Sequence, residues 1–284
     1  MSTDVNAMFM KFMSRHFVGL LGEYKSFKSE GVVLHRGVLA ISGFVIEVLG
    51  RWFWVTAGHC LRDLDREIER GRLVLLRTEF VDNFRMPPIL EQGIPFTYEP
   101  HCGYYMDDER IGVDVGLVPI PDLFRQNMTA NNVEAIVPEQ WMAPPEPEYT
   151  VYKMMGFPAY KKSEWRNSQG GVDSKVVLSM ISLSRTSIDE VEGRSSDHWF
   201  AASIPDDVGI QNVEGMSGGP IYGFRKHSNG QWSYRILAIQ SRWLSEKRIV
   251  LGSSITRFAE ILVEKVTDGG MQHEIRNSKL SNQE

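Results

Sequence analysis

Apolar residues near the start of the chain recur at three- and four-residue steps: Val5, Met8, Phe9, Phe12, Met13, Phe17, Leu20 and Leu21. That spacing is one face of an amphipathic helix. It predicts a helical segment over 1–29 whose stripe packs on the main body, or docks a regulatory partner, an oligomer mate or a membrane. From Gly31 the period shortens. Phe44–Val48 and Arg51–Val55 flank Gly50 and read as a hairpin. Leu73–Phe80, Val113–Ile120, Tyr149–Phe157, Lys175–Ser184, His198–Ser203, Pro220–Phe224, Tyr234–Ser241 and Arg248–Ser254 read as further strands. So many short strands between frequent turns predict an all-β sandwich or barrel. The proline-rich stretch Pro138–Thr150 crosses between two β units. Ile255, Phe258, Ile261, Leu262 and Val266 mark a C-terminal helix over 255–266, and 267–284 is a polar tail.

Composition narrows the function classes. The 284 residues are 42% apolar, enough for a sizeable core, and the formal net charge is −5. That balance argues against a nucleic-acid partner. The two cysteines, Cys60 and Cys102, are too few for a disulfide framework and not in a CxxC pair, so no metal or cofactor is expected. No stretch is long and apolar enough to span a membrane. The first 21 residues are interrupted by Lys11, Arg15 and His16 and lack a signal-peptide pattern. Together these features predict a cytoplasmic protein.

The stretch "VEGMSGGPIYG" (Val213–Gly223) places Ser217 among glycines. Glycines permit sharp turns and close approach to the main chain. A serine hydroxyl attacks only when a base takes its proton, and histidine titrates in the right range. His59, in "VTAGHCL", follows the apolar run "WFWVTA". Asp114 lies inside the apolar strand "VDVGLVPI", where an unpaired carboxylate is costly and needs a partner such as that histidine. Asp107 and Asp108, in a polar run, are expected to be solvated. The Gly215 and Ser217 N–H groups are positioned to form an oxyanion hole. The chain order His, Asp, Ser is one of those in which this set of three occurs.

With "TAGHC", "DVGLVPI" and "GMSGGP" in order, the chain resembles the trypsin/chymotrypsin-like serine peptidases over about residues 31–266. "SGFVIE" and "GFP" resemble the family's bacterial branch, the Deg-like and glutamyl-endopeptidase-like enzymes. The resemblance implies a peptidase domain over 30–266, built as a double six-stranded β-barrel. Barrel 1 would span about 30–121 and barrel 2 about 149–254, with the cleft between them and a C-terminal helix after them. It implies a serine endopeptidase acting on protein or peptide substrates. His59 would be base then acid, Asp114 the orienter and Ser217 the nucleophile.

Departures from the family pattern add to this. Met216 stands where zymogen-activated members have an aspartate that pairs with a new N-terminus. Activity is therefore not expected to follow N-terminal trimming. Packing of Met216, or a partner, would hold the oxyanion segment. The family's substrate pocket maps to Gln211, Gln240, Ser241, Arg242 and Gly252. The lack of an acid at Gln211 disfavours strict Lys/Arg preference. Two other readings compete: a catalytically weak binding module on the same fold, and an esterase using the same residues.

Overall fold

The computed structural model describes residues 3–28, 32–82, 93–142, 148–168, 170–187, 191, 199–206, 210, 212–256, 258–259 and 262. The fold is mostly β. After the helix α1 (Thr3–Met13) come β1 (Gly19–Phe27), β2 (Val33–Ile41), β3 (Phe44–Val48) and β4 (Arg51–Thr56). The helix α2 (Gly58–Glu69) is followed by β5 (Leu73–Val81), β6 (Ile94–Pro95), β7 (Tyr104–Asp108) and β8 (Val113–Ile120). Helices α3 (Asp122–Ala130) and α4 (Pro138–Trp141) lead to β9 (Val151–Gly156). The rest is β10 (Ser163–Arg166), β11 (Val172–Lys175), β12 (Ser179–Arg185), β13 (Trp199–Ser203), β14 (Pro220–Lys226), β15 (Trp232–Leu244) and β16 (Ile249–Ser254).

The second half closes a six-stranded barrel in the order β12-β13-β16-β15-β14-β9. The first half forms two four-stranded sheets, β2-β1-β5-β6 and β3-β4-β8-β7, joined where β2 bends into β3 at Ser42 and Gly43. The β3–β4 turn has Leu49 (φ 49°) and Gly50 (φ 76°) both left-handed, the backbone that matches the twist of a two-residue hairpin. β8 is buried along nearly its whole length because it lies between β4 and β7 and packs on β16. Such a strand reads as one apolar run, and Asp114 is its charged exception.

One core cluster unites the halves. Phe44, Val55 and Val115 pack with Met155, Tyr222 and Ile239. A second fills the first half around Trp54, whose indole N–H donates to the Val18 carbonyl at 2.7 Å. Truncating a side chain that is fully buried in this way costs about 3–5 kcal/mol.

Two sequence readings change. The N-terminal helix ends at Met13; a short 3-10 turn, Ser14–His16, follows, Phe17 stands at its exit, and Leu20 and Leu21 belong to β1. The Ser14 hydroxyl donates to the Lys11 carbonyl, and Gly19 and Gly22 disfavour a continued helix; the chain instead enters β1, which bonds β2 on one side and β5 on the other. The helix is docked: Phe9 stacks on Phe224 (4.1 Å between centroids) and meets Trp232 edge-on, while Met8 and Phe12 stay exposed. The run 175–184 is broken at Val176–Leu178 between β11 and β12. Of the expected 198–203 strand, Trp199–Ser203 is β13, and His198 lies outside the described residues. Of the 255–266 helix, Ile255, Thr256, Phe258, Ala259 and Leu262 are helical, and the others lie outside the described residues. Phe258 packs against Trp141. Among the described residues no helix is long and apolar enough to cross a membrane.

Candidate active site

β4 ends at Thr56 and α2 begins at Gly58, so His59 stands in the first turn of a helix. The N-cap residue, Ala57, offers no side-chain acceptor, and the first helical N–H groups need one. Asp114, from β8, supplies it. Its Oδ1 accepts the His59 backbone N–H at 2.8 Å, and its Oδ2 accepts the imidazole Nδ1–H at 2.6 Å. One carboxylate therefore caps the helix and fixes the ring, leaving Nε2 as the nitrogen it does not engage. The Ser241 hydroxyl donates to the same Oδ2. Ser253 bridges the main chain of Asp114, accepting from its N–H at 2.6 Å.

The electrostatics follow from these contacts. Burial alone would raise the Asp114 carboxyl; the hydrogen bonds from His59 and Ser241 outweigh it and hold the group below the ordinary carboxylate value. Burial pulls the His59 pKa down, but Asp114 and the Cys60 thiol overcome that and push it up to about 10. Cys60 Sγ lies 3.6 Å from His59 Nε2 and 4.0 Å from the Ser217 carbonyl oxygen. The Ser217 hydroxyl donates to the Ser241 carbonyl at 3.4 Å. Contacts thus run in a closed circuit through Asp114, His59, Cys60, Ser217 and Ser241. Among the described residues the serine hydroxyl bonds Ser241 rather than the imidazole.

The segment carrying Ser217 is fixed by its backbone. The Gly218 N–H donates to the Gln240 carbonyl, and the Gln240 N–H to the Gly219 carbonyl, both at 2.8 Å. Met216 is fully buried in the barrel core with Val213 and Ile221. The Ala159 N–H holds the Glu214 carbonyl at 2.7 Å. In a trans peptide the N–H points opposite to the C=O, so the Gly215 N–H is turned away from Ala159. The Ser42 hydroxyl donates to the Gly215 carbonyl at 3.2 Å. Neither the Gly215 nor the Ser217 N–H has an acceptor among the described residues. Gly215 has φ +86°, and a Cβ there would sit 2.7 Å from the Phe157 carbonyl oxygen. Gly218 has φ +89°, and its Cβ would run into Thr56 Oγ1 and the Ser42 carbonyl.

The proposed pocket residues fare unevenly. Gln211 lies outside the described residues. Ser241 is committed to Asp114 and Ser217. Gln240 is buried, and its Oε1 has no hydrogen-bond partner among the described residues. Arg242 faces the acids Asp107 and Glu109 at 3.6 and 3.5 Å. Gly252 is a close-packing position, where a Cβ would meet Ala238 Cβ and the Ile239 carbonyl at 2.9 Å. Asp107 is not solvated as its polar surroundings suggested: its side chain is buried and ion-paired to Arg62. Sequence reasoning missed Ser42, Thr56 and Ser253 as supports. Nothing local distinguishes a hydroxyl that holds a backbone turn from one at the surface. Among the described residues no group of three or more His, Cys, Asp or Glu side chains is placed to hold a metal.

Searches against family models and against curated proteins find no match for this chain.

Proposed function

We propose that the chain is a serine endopeptidase of the trypsin/chymotrypsin-like type. The observation that carries the reading is the pairing of two prepared parts. One is an imidazole fixed by a buried carboxylate. The other is a serine on a segment whose Gly215 and Ser217 N–H groups have no acceptor among the described residues. On this reading the two sheets of the first half are an open counterpart of the closed barrel, with β2 and β3 as one bent strand. Both cysteines are free thiols, which fits the cytoplasmic assignment.

Catalysis would begin with rotation of the Ser217 side chain, which moves its hydroxyl from the Ser241 carbonyl to His59 Nε2. Catalytic hydrogen bonds are commonly loose in the unliganded state and tighten with substrate. His59 takes the proton as Oγ attacks the scissile carbonyl carbon, and the oxyanion is held by the Gly215 and Ser217 N–H groups. The imidazolium, stabilised by Asp114, protonates the departing amine. Water, deprotonated by the same nitrogen, then releases the acid and restores the serine. Met216, buried in the barrel, takes the place of a charged tether for the oxyanion segment, so full-length protein is active without loss of residues.

The test is hydrolysis of a casein substrate by the full-length chain, with a fluorophosphonate probe read by mass spectrometry. Parental protein cleaves casein and gains the adduct on Ser217. Ser217→Ala loses both and keeps its melting temperature. Cleavage by Ser217→Ala at the parental rate would sink the assignment.

A further inference from the structure

Away from His59, Asp114 and Ser217, the β10–β11 hairpin covers the face of the β1, β2 and β5 strands that is turned from the core. Between them is a cavity of about 540 Å³, within the usual range for ligand sites of roughly 300–1,000 Å³. Its floor is Glu23, Arg36, Arg77 and Glu79; its roof includes Trp165 and Asp173.

Most of the charge here is already matched. The Arg36 Nε donates to Glu23 at 2.7 Å, and the Val172 N–H donates to the same oxygen at 2.9 Å, bolting hairpin to sheet. Arg77 pairs with Glu79 at 2.5 Å. Asp173 is left over. Its carboxylate accepts from the Asn167 amide at 3.0 Å and has no cationic partner among the described residues. The lining therefore holds one more carboxylate than guanidinium. Trp165 stands directly across the ribbon from Asp173 and is 50% exposed. An indole face beside an uncompensated carboxylate suits a flat cation, which stacks on the ring while its N–H fork meets the acid.

The neighbouring edge points to the form of the ligand. β2 is the terminal strand of its sheet. Beside and within it, Val32, Val33 and Leu34 are 57%, 51% and 56% exposed. The Val38 N–H and carbonyl are engaged from outside the sheet by the Glu164 and Lys162 side chains. The two-residue period puts the main-chain groups of Arg36 on that same outer edge. An apolar edge that pairs with no further strand among the described residues is where an extended chain adds as a strand, with alternate side chains directed to one face.

We propose that this cavity binds a basic side chain, arginine above all, of an extended polypeptide lying along the edge of β2. The proposal stands independently of the peptidase reading.

The experiment uses full-length protein carrying Ser217→Ala, so that no probe is cut. The Trp165 indole resonance is identified by its loss in Trp165→Phe. The probes are an acetylated and amidated Thr-Val-Arg-Val-Thr peptide, the same peptide with neutral, near-isosteric citrulline in place of arginine, and free arginine. The arginine peptide is expected to move the Trp165 resonance saturably. The citrulline peptide and free arginine should each bind at least tenfold more weakly. Asp173→Asn, whose other indole resonances should be unchanged, should weaken the arginine peptide about tenfold. A stationary Trp165 resonance at millimolar peptide, or equal binding of the citrulline peptide, overturns the site. Free arginine binding as tightly as the peptide overturns the polypeptide as its ligand.

Discussion

In the first half of the molecule, His59 and Asp114 are placed by side-chain hydrogen bonds, at 2.8 and 2.6 Å, between a helix start and a buried strand. In the second half, Ser217 is placed by main-chain bonds to Gln240 and by glycines at φ +86° and +89°. The open-sheet half thus contributes oriented, ionisable side chains, and the closed-barrel half contributes backbone shape. The two halves are therefore vulnerable in different ways. A side-chain network fails by losing a charge or a tautomer while the fold survives. A backbone-defined turn fails when any Cβ is added, because the space is already filled by carbonyl oxygens.

The sharpest probe of this contrast is Asp114→Asn. The amide keeps the shape but reverses the hydrogen-bond sense toward the imidazole, so kcat should fall by about 10⁴ with little change in KM. Steady-state kinetics on a peptide substrate reads this directly. A fall of less than tenfold would mean that His59 is not oriented through this carboxylate. Gly215→Ala tests the other half. Its methyl presses on the Phe157 carbonyl and turns the peptide, so kcat should drop by about 10²–10³. The fluorophosphonate adduct on Ser217 should then form more slowly in the same proportion. Unchanged kcat would show that this N–H carries no oxyanion.

The pH dependence separates the contributions to the base. The imidazole must be neutral to accept a proton, and its pKa is pushed up to about 10 by Asp114 and Cys60 against burial. kcat/KM should therefore rise with pH above neutrality instead of levelling off near 6.5. Cys60→Ala removes one of the raising contacts and should shift that limb to lower pH. The same raised pKa has a stability consequence of definite sign. Its contribution to folding is complete below about 6.5 and fades as pH rises through about 10. Denaturant titrations at pH 6 and pH 10 of the parent and of His59→Ala should show the difference between them shrinking at the higher pH. The smallest effect is expected at Gln240, whose buried Oε1 lacks a partner among the described residues. Gln240→Met should raise stability by about 1 kcal/mol, since an apolar replacement of similar shape removes an unmet acceptor. Loss of stability instead would show that the amide has a role in the barrel core.

The strands are legible in the sequence because their apolar runs are bounded by turn residues. The run Val113–Ile120 has the same ends in the sequence pattern and in the structure. The N-terminal pattern misleads past Met13, because Phe17, Leu20 and Leu21 continue a helical period by coincidence. Pairing with β2 and β5 satisfies the backbone there in a way that no local pattern announces. Asp107 misleads for a related reason. Its neighbours in sequence are polar, but its neighbour in space is the Arg62 guanidinium on α2.

The set of candidate chemical groups, and the order in which the chain presents them, can be read from the residues alone. His59 follows an apolar strand, Asp114 interrupts one, and Ser217 sits among glycines; each is a local conflict between residue type and surroundings, visible without a fold. The tertiary structure alone decided how these groups meet. The cap that Asp114 gives α2, the Ala159 bond that turns the peptide plane between Glu214 and Gly215, the Ser42 support and the cavity beneath Trp165 all join residues distant in the chain. Such contacts depend on which strands lie side by side, and that is fixed by burial of the shared core rather than by any short stretch of residues.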